Sequence, residues 1–346
     1  SDHNMLTRRT AILAASAGFA TACADSLAQP NRSPAYKTGL KPLPFAVQEI
    51  YPAAHKGRIH IAGGLLAENG RVTSVSNRHI AYDPRTQTAT TLASLPASRH
   101  HPYAVDHKGR LYLFGGFGTN PGAVNWIMSA ETLAYDDSTN AWSPRTSAPS
   151  PNAEAVAASI GAHIHIVGGR RPKGAANLAY VDHEDTTRHL VYDPAANTWE
   201  TAAPALSARN SATGALINGL WHVAGGRSIA GGPTDTHEVY DPREDRWRTA
   251  APMPKGSGAG GNACGALNGH LYVFGGEYFD NGGRVHPEAW EYNPASDAWA
   301  PAPPMPTPRH GLGAVVLHNM IWLVGGAKKP SGVDTSDTVE AFGLVG

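Results

Sequence analysis

Apolar and polar residues alternate along this chain in short runs, and six of the runs end on a glycine pair: Gly63-Gly64, Gly115-Gly116, Gly168-Gly169, Gly225-Gly226, Gly275-Gly276 and Gly325-Gly326. Alternation of period two predicts strands rather than helices. Successive pairs stand 52, 53, 57, 50 and 50 residues apart. A second signal keeps the same period, an aromatic pair seven residues apart: Tyr135 and Trp142, Tyr192 and Trp199, Tyr240 and Trp247, Tyr292 and Trp299, with Tyr82 and Ala89 in the first repeat. Turn residues such as Asp193-Pro194 and Asp241-Pro242 lie between the two aromatics and predict a hairpin. A third marker follows seven residues beyond the Trp place, at Pro96, Pro149, Leu206, Pro254 and Pro306, and Pro44 occupies it near the N-terminus. From marker to next glycine pair the distance is 19 residues in five repeats and 21 in the fifth.

Each repeat therefore predicts four strands, lettered a to d. Strands a and b form a hairpin ending at the glycine pair, c ends at the Tyr, and d starts at the Trp place. The double glycine, the Tyr and the Trp seven later resemble the kelch repeat. This resemblance covers about residues 36–346 and implies an all-β fold, a six-bladed kelch β-propeller with four-stranded blades. A closed ring of such sheets buries both faces of each blade and leaves few open edges. The last repeat reaches Phe342 in the Tyr place with no room for a strand d. Residues 37–41, followed by Pro42-Leu43-Pro44 in the manner of Pro304-Met305-Pro306, are expected to supply it, so that the N-terminal strand completes the last blade.

Composition agrees with this reading. Gly and Pro together number 65 of 346, about 19%, against roughly 12% in an average protein. Only 16% of residues are charged, which argues against a helical bundle or coiled coil, and eight Trp with twelve Tyr argue against disorder. Twenty-eight basic residues balance 28 acidic ones, so no global field draws the chain to nucleic acid or to an anionic membrane. Cys23 and Cys264 are the only cysteines, which excludes a disulfide framework and a clustered Cys zinc site.

The N-terminal segment reads as an address. Residues 1–4 read as a scar or upstream remnant. Residues 5–28 hold Arg8-Arg9, a weakly apolar run over 11–22 and Ser26-Leu27-Ala28, which together resemble a twin-arginine export signal. The run is too short to span a membrane. Periplasmic or secreted localisation is expected, with residues 29–35 as a short tail. Ala20-Thr21-Ala22-Cys23 offers the alternative of a lipoprotein anchored at Cys23.

Strands that alternate in direction put the d–a and b–c connections on one face of the ring. The other face carries tight turns such as Lys56-Gly57 and Asn218-Gly219. On the first face the b–c loops vary in length, and variable loops on a rigid scaffold usually carry function. Starts of strand a place Glu49, Arg99, His100, His101, Glu154, Arg209, Asn210, Arg309 and His310 there. Residues after the glycine pairs add Arg170, Arg227, Glu277 and Tyr278, and Arg284 follows in the fifth b–c loop. A cationic rim is expected, suited to a small anionic sugar or oligosaccharide whose carboxylate an Arg fork would grip. Arg99, Arg209 and Arg309 have an alternative role, tying adjacent blades together through backbone carbonyls. His79, His189 and His237 each precede the Tyr by three and are expected to pack rather than react.

Among kelch propellers exported by bacteria, the sialate mutarotases (N-acetylneuraminate epimerases) offer the nearest enzymatic resemblance. It implies isomerase chemistry with Glu277 and Arg284 in one b–c loop; the alternative for these two is a loop salt bridge. A second enzymatic reading makes His100, His310 or Tyr278 the base beside an Arg-held uronate, for epimerisation or lyase-type elimination. No cofactor is expected. A divalent metal held by His100, His101 and His310 is the remote alternative. Copper chemistry of the galactose-oxidase kind would have to use Cys264, which strand a of the fifth blade explains as a small core residue. A non-enzymatic propeller that binds a protein partner remains the other class, since fold does not decide function. That class predicts a broad, shallow, partly apolar face, and an enzyme predicts converging polar groups in a deep pocket.

Overall fold

The computed structural model describes residues 33–119 and 124–344, which belong to one compact unit, Ser33–Gly346. The expected export signal over 5–28, with Cys23, lies outside the described residues. Six four-stranded antiparallel sheets follow in chain order. Blade 1 consists of Ala53–His55, Arg58–Ala62, His79–Asp83 and Thr88–Leu92; blade 2 of Tyr103–His107, Arg110–Phe114, Thr132–Asp136 and Ala141–Arg145. Blade 3 comprises Val156–Ile160, His163–Val167, His189–Asp193 and Thr198–Thr201, and blade 4 Thr213–Ile217, Leu220–Ala224, His237–Asp241 and Arg246–Thr249. Blade 5 comprises Ala263–Leu267, His270–Phe274, Ala289–Asn293 and Ala298–Ala302. Blade 6 has Gly313–Leu317, Met320–Val324 and Val339–Gly343, and its fourth strand is the N-terminal Ala35–Lys37. The six-bladed kelch propeller closed by its N-terminal strand is thus the observed fold. The closing strand sits slightly earlier than residues 37–41, because Gly39 takes a left-handed φ of 68° and turns the chain away from the sheet.

Apolar side chains pack between blades, so each sheet needs its neighbour. Tyr112 and Phe114 of blade 2 meet Ile164, Ile166 and Tyr192 of blade 3, and Val156 and Val167 of blade 3 meet Trp221, Val223 and Trp247 of blade 4. The Tyr–Trp pair has a specific job in this packing. Tyr240 and Trp247 stand opposite each other in the c–d hairpin of blade 4, with ring centroids 5.1 Å apart. The Tyr240 hydroxyl donates to Asp245 at 2.8 Å, and the same carboxylate accepts the Ala203 N–H of the preceding blade at 2.8 Å. Trp247 Nε1 donates to the Ala203 carbonyl at 2.9 Å. Blades 2, 3 and 5 repeat this clasp through Asn140, Asn197 and Asp297. Blade 1 lacks the Trp. There Tyr82 donates directly to the Lys41 carbonyl at 2.8 Å, and Gln87 accepts the Lys41 N–H at 2.8 Å, which ties the closing segment into the ring.

The glycine pairs lie where blades touch on the b–c side. The second glycine donates its N–H to the d–a segment of the next blade, as from Gly64 to Arg99, Gly169 to Arg209, and Gly276 to Arg309. A side chain at Gly116 would lie 2.7 Å from the His100 carbonyl oxygen, so only glycine allows this approach.

Candidate functional site

Five residues beyond each Pro/Leu marker, or seven in the fifth repeat, stands one residue per blade: Glu49, His101, Glu154, Ser211, Gly261 and Gly311. All six hold left-handed backbone, with φ of 56°, 57°, 53°, 53°, 67° and 57°. Their main chains link around the axis, His101 N to Glu49 O at 3.0 Å, Ser211 N to Glu154 O at 2.8 Å, Gly311 N to Gly261 O at 2.8 Å, and Glu49 N to Gly311 O at 2.7 Å. Each of the four non-glycine members carries roughly 1–2 kcal/mol of backbone strain. The ring therefore aims its side chains at one spot at a steric cost.

Residues just after the glycine pairs complete the cluster. Arg170 Nε lies 2.5 Å from Glu154 Oε2, and both side chains are fully buried. Arg227 reaches Glu154 at 3.2 Å and Glu277 at 3.5 Å, and is the most accessible member at 19%. His101 Nε2 lies 2.9 Å from Glu49 and 3.9 Å from Glu154. His310 lies 3.6 Å from Glu49 and 3.4 Å from Glu277. The Ser211 hydroxyl donates to Glu154 at 2.8 Å, and the Ser331 N–H to Glu277 at 2.7 Å. Glycines make the room: a Cβ at Gly260 would sit 2.9 Å from the Arg227 guanidinium, and one at Gly311 would sit 2.7 Å from the Glu49 carboxylate. Burial alone would raise the carboxyl groups. Arg170, Arg227, His101 and Ser211 overcome it at Glu154 and hold it at about 2. His101, His310 and Arg227 keep Glu49 well below its ordinary value.

An aromatic roof covers one side. The Tyr180 ring, in a one-turn helix over Tyr180–Asp182, lies 3.6 Å from the Arg170 guanidinium carbon. Trp126 meets Tyr180 at 5.6 Å, Phe117 at 4.8 Å, His100 at 5.0 Å and His101 at 5.6 Å between ring centroids. Below the ring, the starts of strand a in blades 2 to 6 and residues 50–52 before that of blade 1 line an axial cavity of about 120 Å³, walled by small residues such as Ala104, Ala157, Gly214 and Ala314. Cys264 is among them, and burial pushes its thiol up to about 12.

The structure brings together Glu49, His101, Glu154, Arg170, Asn210, Arg227, Glu277 and His310, with His100 behind His101 at 2.7 Å, and separates Arg99, Arg209, Arg284 and Arg309 from them. Arg99, Arg209 and Arg309 do not form a rim at the mouth. They are buried within their own blades: Arg209 donates to the carbonyls of Gly225 at 2.6 Å, Thr236 at 3.0 Å and Val223 at 3.0 Å. Arg309 donates to Gly325 O at 2.6 Å and Glu340 at 2.9 Å, and Arg99 pairs with Glu131. The expected carbonyl ties are present, but each arginine makes them inside its own blade and not between adjacent blades. Arg284 does not join Glu277; it is exposed, pairs with Glu288 at 3.5 Å and lies 5.7 Å from the Tyr278 ring, outside the cluster. The expected cationic rim is corrected to a mixed cluster, because only two arginines reach the axis and three carboxylates face them. Among the described residues no group of three or more His, Cys, Asp or Glu is arranged to hold a metal ion. His100, His101 and His310 accordingly do not form a ligand set. Sequence reasoning missed Ser211, Trp126 and Tyr180. Ser211 was within reach, since it stands five residues past Leu206 just as Glu49 and Glu154 stand past their prolines.

Six blades closed by the N-terminal strand, with a polar cluster at the loop end of the axis, define a β-propeller. Residues 52–276 match the KLHDC2/KLHL20/DRC7 Kelch-repeats domain, and residues 259–306 match the Kelch motif. The chain belongs to the kelch-repeat family. It is 26% identical over 286 residues to Kelch-like protein terF of Aspergillus terreus, covering 81% of this chain and 61% of that protein. It is 28% identical over 217 residues to Kelch-like protein 23 of Homo sapiens, covering 62% of this chain and 36% of that one. The chain thus spans less than two thirds of the length of either curated relative. The solved structure of YjhT superposes with a TM-score of 0.73 at 18% identity, covering 86% of this chain and 95% of YjhT, and so shares the fold. Among the described residues no helix is long and apolar enough to cross a membrane.

Proposed function

We propose that this propeller binds a small, hydroxyl-rich ligand of the carbohydrate class at the axial cluster and moves protons on it. The supporting observation is the clustering of three carboxylates, two guanidinium groups and two imidazoles, all buried but Glu49 and Arg227, with Glu49, His101 and Glu154 on strained backbone. Stability does not call for this arrangement. Buried ion pairs hold a fold together no better than apolar side chains of similar volume. Buried, mutually perturbed titratable groups and strained backbone concentrate at functional sites. Carboxylates outnumber arginines three to two, which suits ligand hydroxyls that donate to Glu49 and Glu277 and accept from Arg227. A ligand carboxylate would meet three like charges. Trp126 and Tyr180 supply flat apolar surface beside these groups. Export to the periplasm or beyond belongs to the same proposal.

Thermal shift and calorimetry with neutral monosaccharides, uronic acids, sialic acid and their oligomers test it. A neutral sugar is expected to raise Tm, and Arg227→Gln and Glu277→Gln to weaken its binding at least tenfold. Binding of sugar acids alone would return the ligand to the anionic class, and silence across the panel would refute the proposal. A second reading, docking of a protein partner on the same face, draws on exposed Val124, Leu178, Tyr180, Val181, Ile229 and Phe279, which all lie in b–c loops.

A further inference from the structure

We infer that Glu49 stands between two histidines in opposite protonation states, His101 an imidazolium and His310 a neutral base, so that the axial cluster carries a ready acid–base pair. This rests on the reading of the cluster as a ligand site. The hydrogen bonds set the protons in order. His100 Nε2 lies 2.8 Å from the Asn125 carbonyl oxygen, which can only accept, so Nε2 carries the hydrogen. His100 is fully buried against Phe117 and Trp126, and burial together with His101 lowers its pKa to about 3, so the ring is neutral and its Nδ1 is bare. His101 Nδ1 lies 2.7 Å from that bare nitrogen and must donate to it. Its other nitrogen, Nε2, faces the Glu49 carboxylate at 2.9 Å, with Glu154 at 3.9 Å behind, and must donate as well. Two donors on one imidazole make it a cation.

The charge count agrees. Glu49, Glu154 and Glu277 contribute three negative charges, and Arg170 and Arg227 two positive ones. His101 is the third cation, and with it the buried cluster is neutral, which spares the fold an uncompensated buried charge. His310 is then not needed as a cation. Its Nε2 donates to the carbonyls of Lys329 at 2.9 Å and Ser331 at 3.0 Å, with Glu277 at 3.4 Å on the same side. Its Nδ1 is buried without a hydrogen-bond partner, and the facing Glu49 oxygen at 3.6 Å is too far to be one. A bare nitrogen therefore points at the axis on one side of Glu49, and an N–H on the other. Both nitrogens are buried beside Glu49, so a proton leaving a ligand would reach His310 Nδ1, and one returning to it would leave His101 Nε2, through the Glu49 carboxylate. One N–H bond forms as another breaks, so the proton count of the protein is unchanged and the ligand leaves as an isomer. Pairs of titratable groups driven to opposite states are what acid–base chemistry near neutral pH requires.

Two-bond 1H–15N correlation spectra of the 15N-histidine-labelled full chain at pH 7 test the assignment, with signals identified by their loss in His101→Gln and His310→Gln. The expected result is the imidazolium pattern at His101 and the Nε2–H tautomer at His310. A neutral His101, or a doubly protonated His310, overturns it. Glu49→Gln is expected to convert His101 to a neutral ring; should that variant fail to fold, the wild-type spectrum still decides. The expected spectrum combined with a silent sugar panel would sink the ligand reading and leave the two protonation states standing.

Discussion

Lowering the pH should unfold this propeller through three buried histidine pairs. His60 and His79 meet at 3.0 Å between strands b and c of blade 1, His165 and His189 at 2.8 Å in blade 3, and His222 and His237 at 3.0 Å in blade 4. Each pair packs on an aromatic of the next blade, as His189 does on Tyr240 at 4.7 Å and His237 on Tyr292 at 4.5 Å. Burial comes first in lowering all six from 6.5: His60, His165 and His237 to about 3, and His79, His189 and His222 to about 4. The folded chain keeps these rings neutral, and the unfolded chain protonates them below pH 6.5. Their contribution to stability is therefore whole above pH 6.5 and is lost as the pH falls toward 4. At pH 5 each ring costs the folded state about 2 kcal/mol, and the six together cost on the order of 10 kcal/mol, comparable to the whole stability of a typical domain. Tm followed by circular dichroism should be flat from pH 8 to 7 and roughly 20 °C lower at pH 5. Blade 5 solves the same packing problem with Tyr272 and Ala289 in place of the two histidines. His222→Phe with His237→Ala imitates it, Phe being chosen because Val239 stands where Glu291 receives the Tyr272 hydroxyl. That double variant should lose about a third of the acid sensitivity. A Tm that changes by only a few degrees between pH 7.5 and 5, or a double variant with unchanged pH dependence, would refute the reasoning.

Arg170→Met should cost about 3–5 kcal/mol in chemical denaturation, because it strips buried Glu154 of its nearest cation; adding Glu154→Met should recover part of the loss. Arg209→Leu removes three hydrogen bonds to backbone carbonyls, of which Thr236 O keeps the Gly225 N–H, and should cost about 2–3 kcal/mol while sugar affinity in calorimetry stays unchanged. Full stability with lost binding would return Arg209 to the ligand site. Gly116→Ala forces a side chain onto backbone at φ 82° and should cost about 2 kcal/mol or more, read from denaturation midpoints.

The parts of the fold legible in the chain were those that repeat. Glycine pairs, the Tyr–Trp spacing and the proline markers each impose a local hydrogen-bond geometry, and six copies in step imply the same local structure six times. The missing fourth strand of the last repeat pointed to closure by the N-terminus, and Tyr36 opposite Phe342 is that closure. The role of His79, His189 and His237 was also legible, because a position repeated three times fills a repeated space. The arginines misled for the same reason. Arg99, Arg209 and Arg309 recur at one place in the repeat, which marks a tie within a blade, whereas Arg170 and Arg227, at the variable position directly after the glycine pair, are the ones that reach the axis.

By itself, then, the sequence determined the number of blades, the strands of each and the way the ring shuts, since these depend on contacts within some fifty residues and on their repetition. Only the tertiary structure decided which side chains meet. Glu49 and His310 are separated by 261 positions and Glu154 and Arg227 by 73, yet closing the ring sets the first pair 3.6 Å apart and the second 3.2 Å apart. The sign of the mouth depends on those distances. Two arginines and two imidazoles among three carboxylates make a mixed cluster, where the same residues spread along a loop face read as a cationic rim.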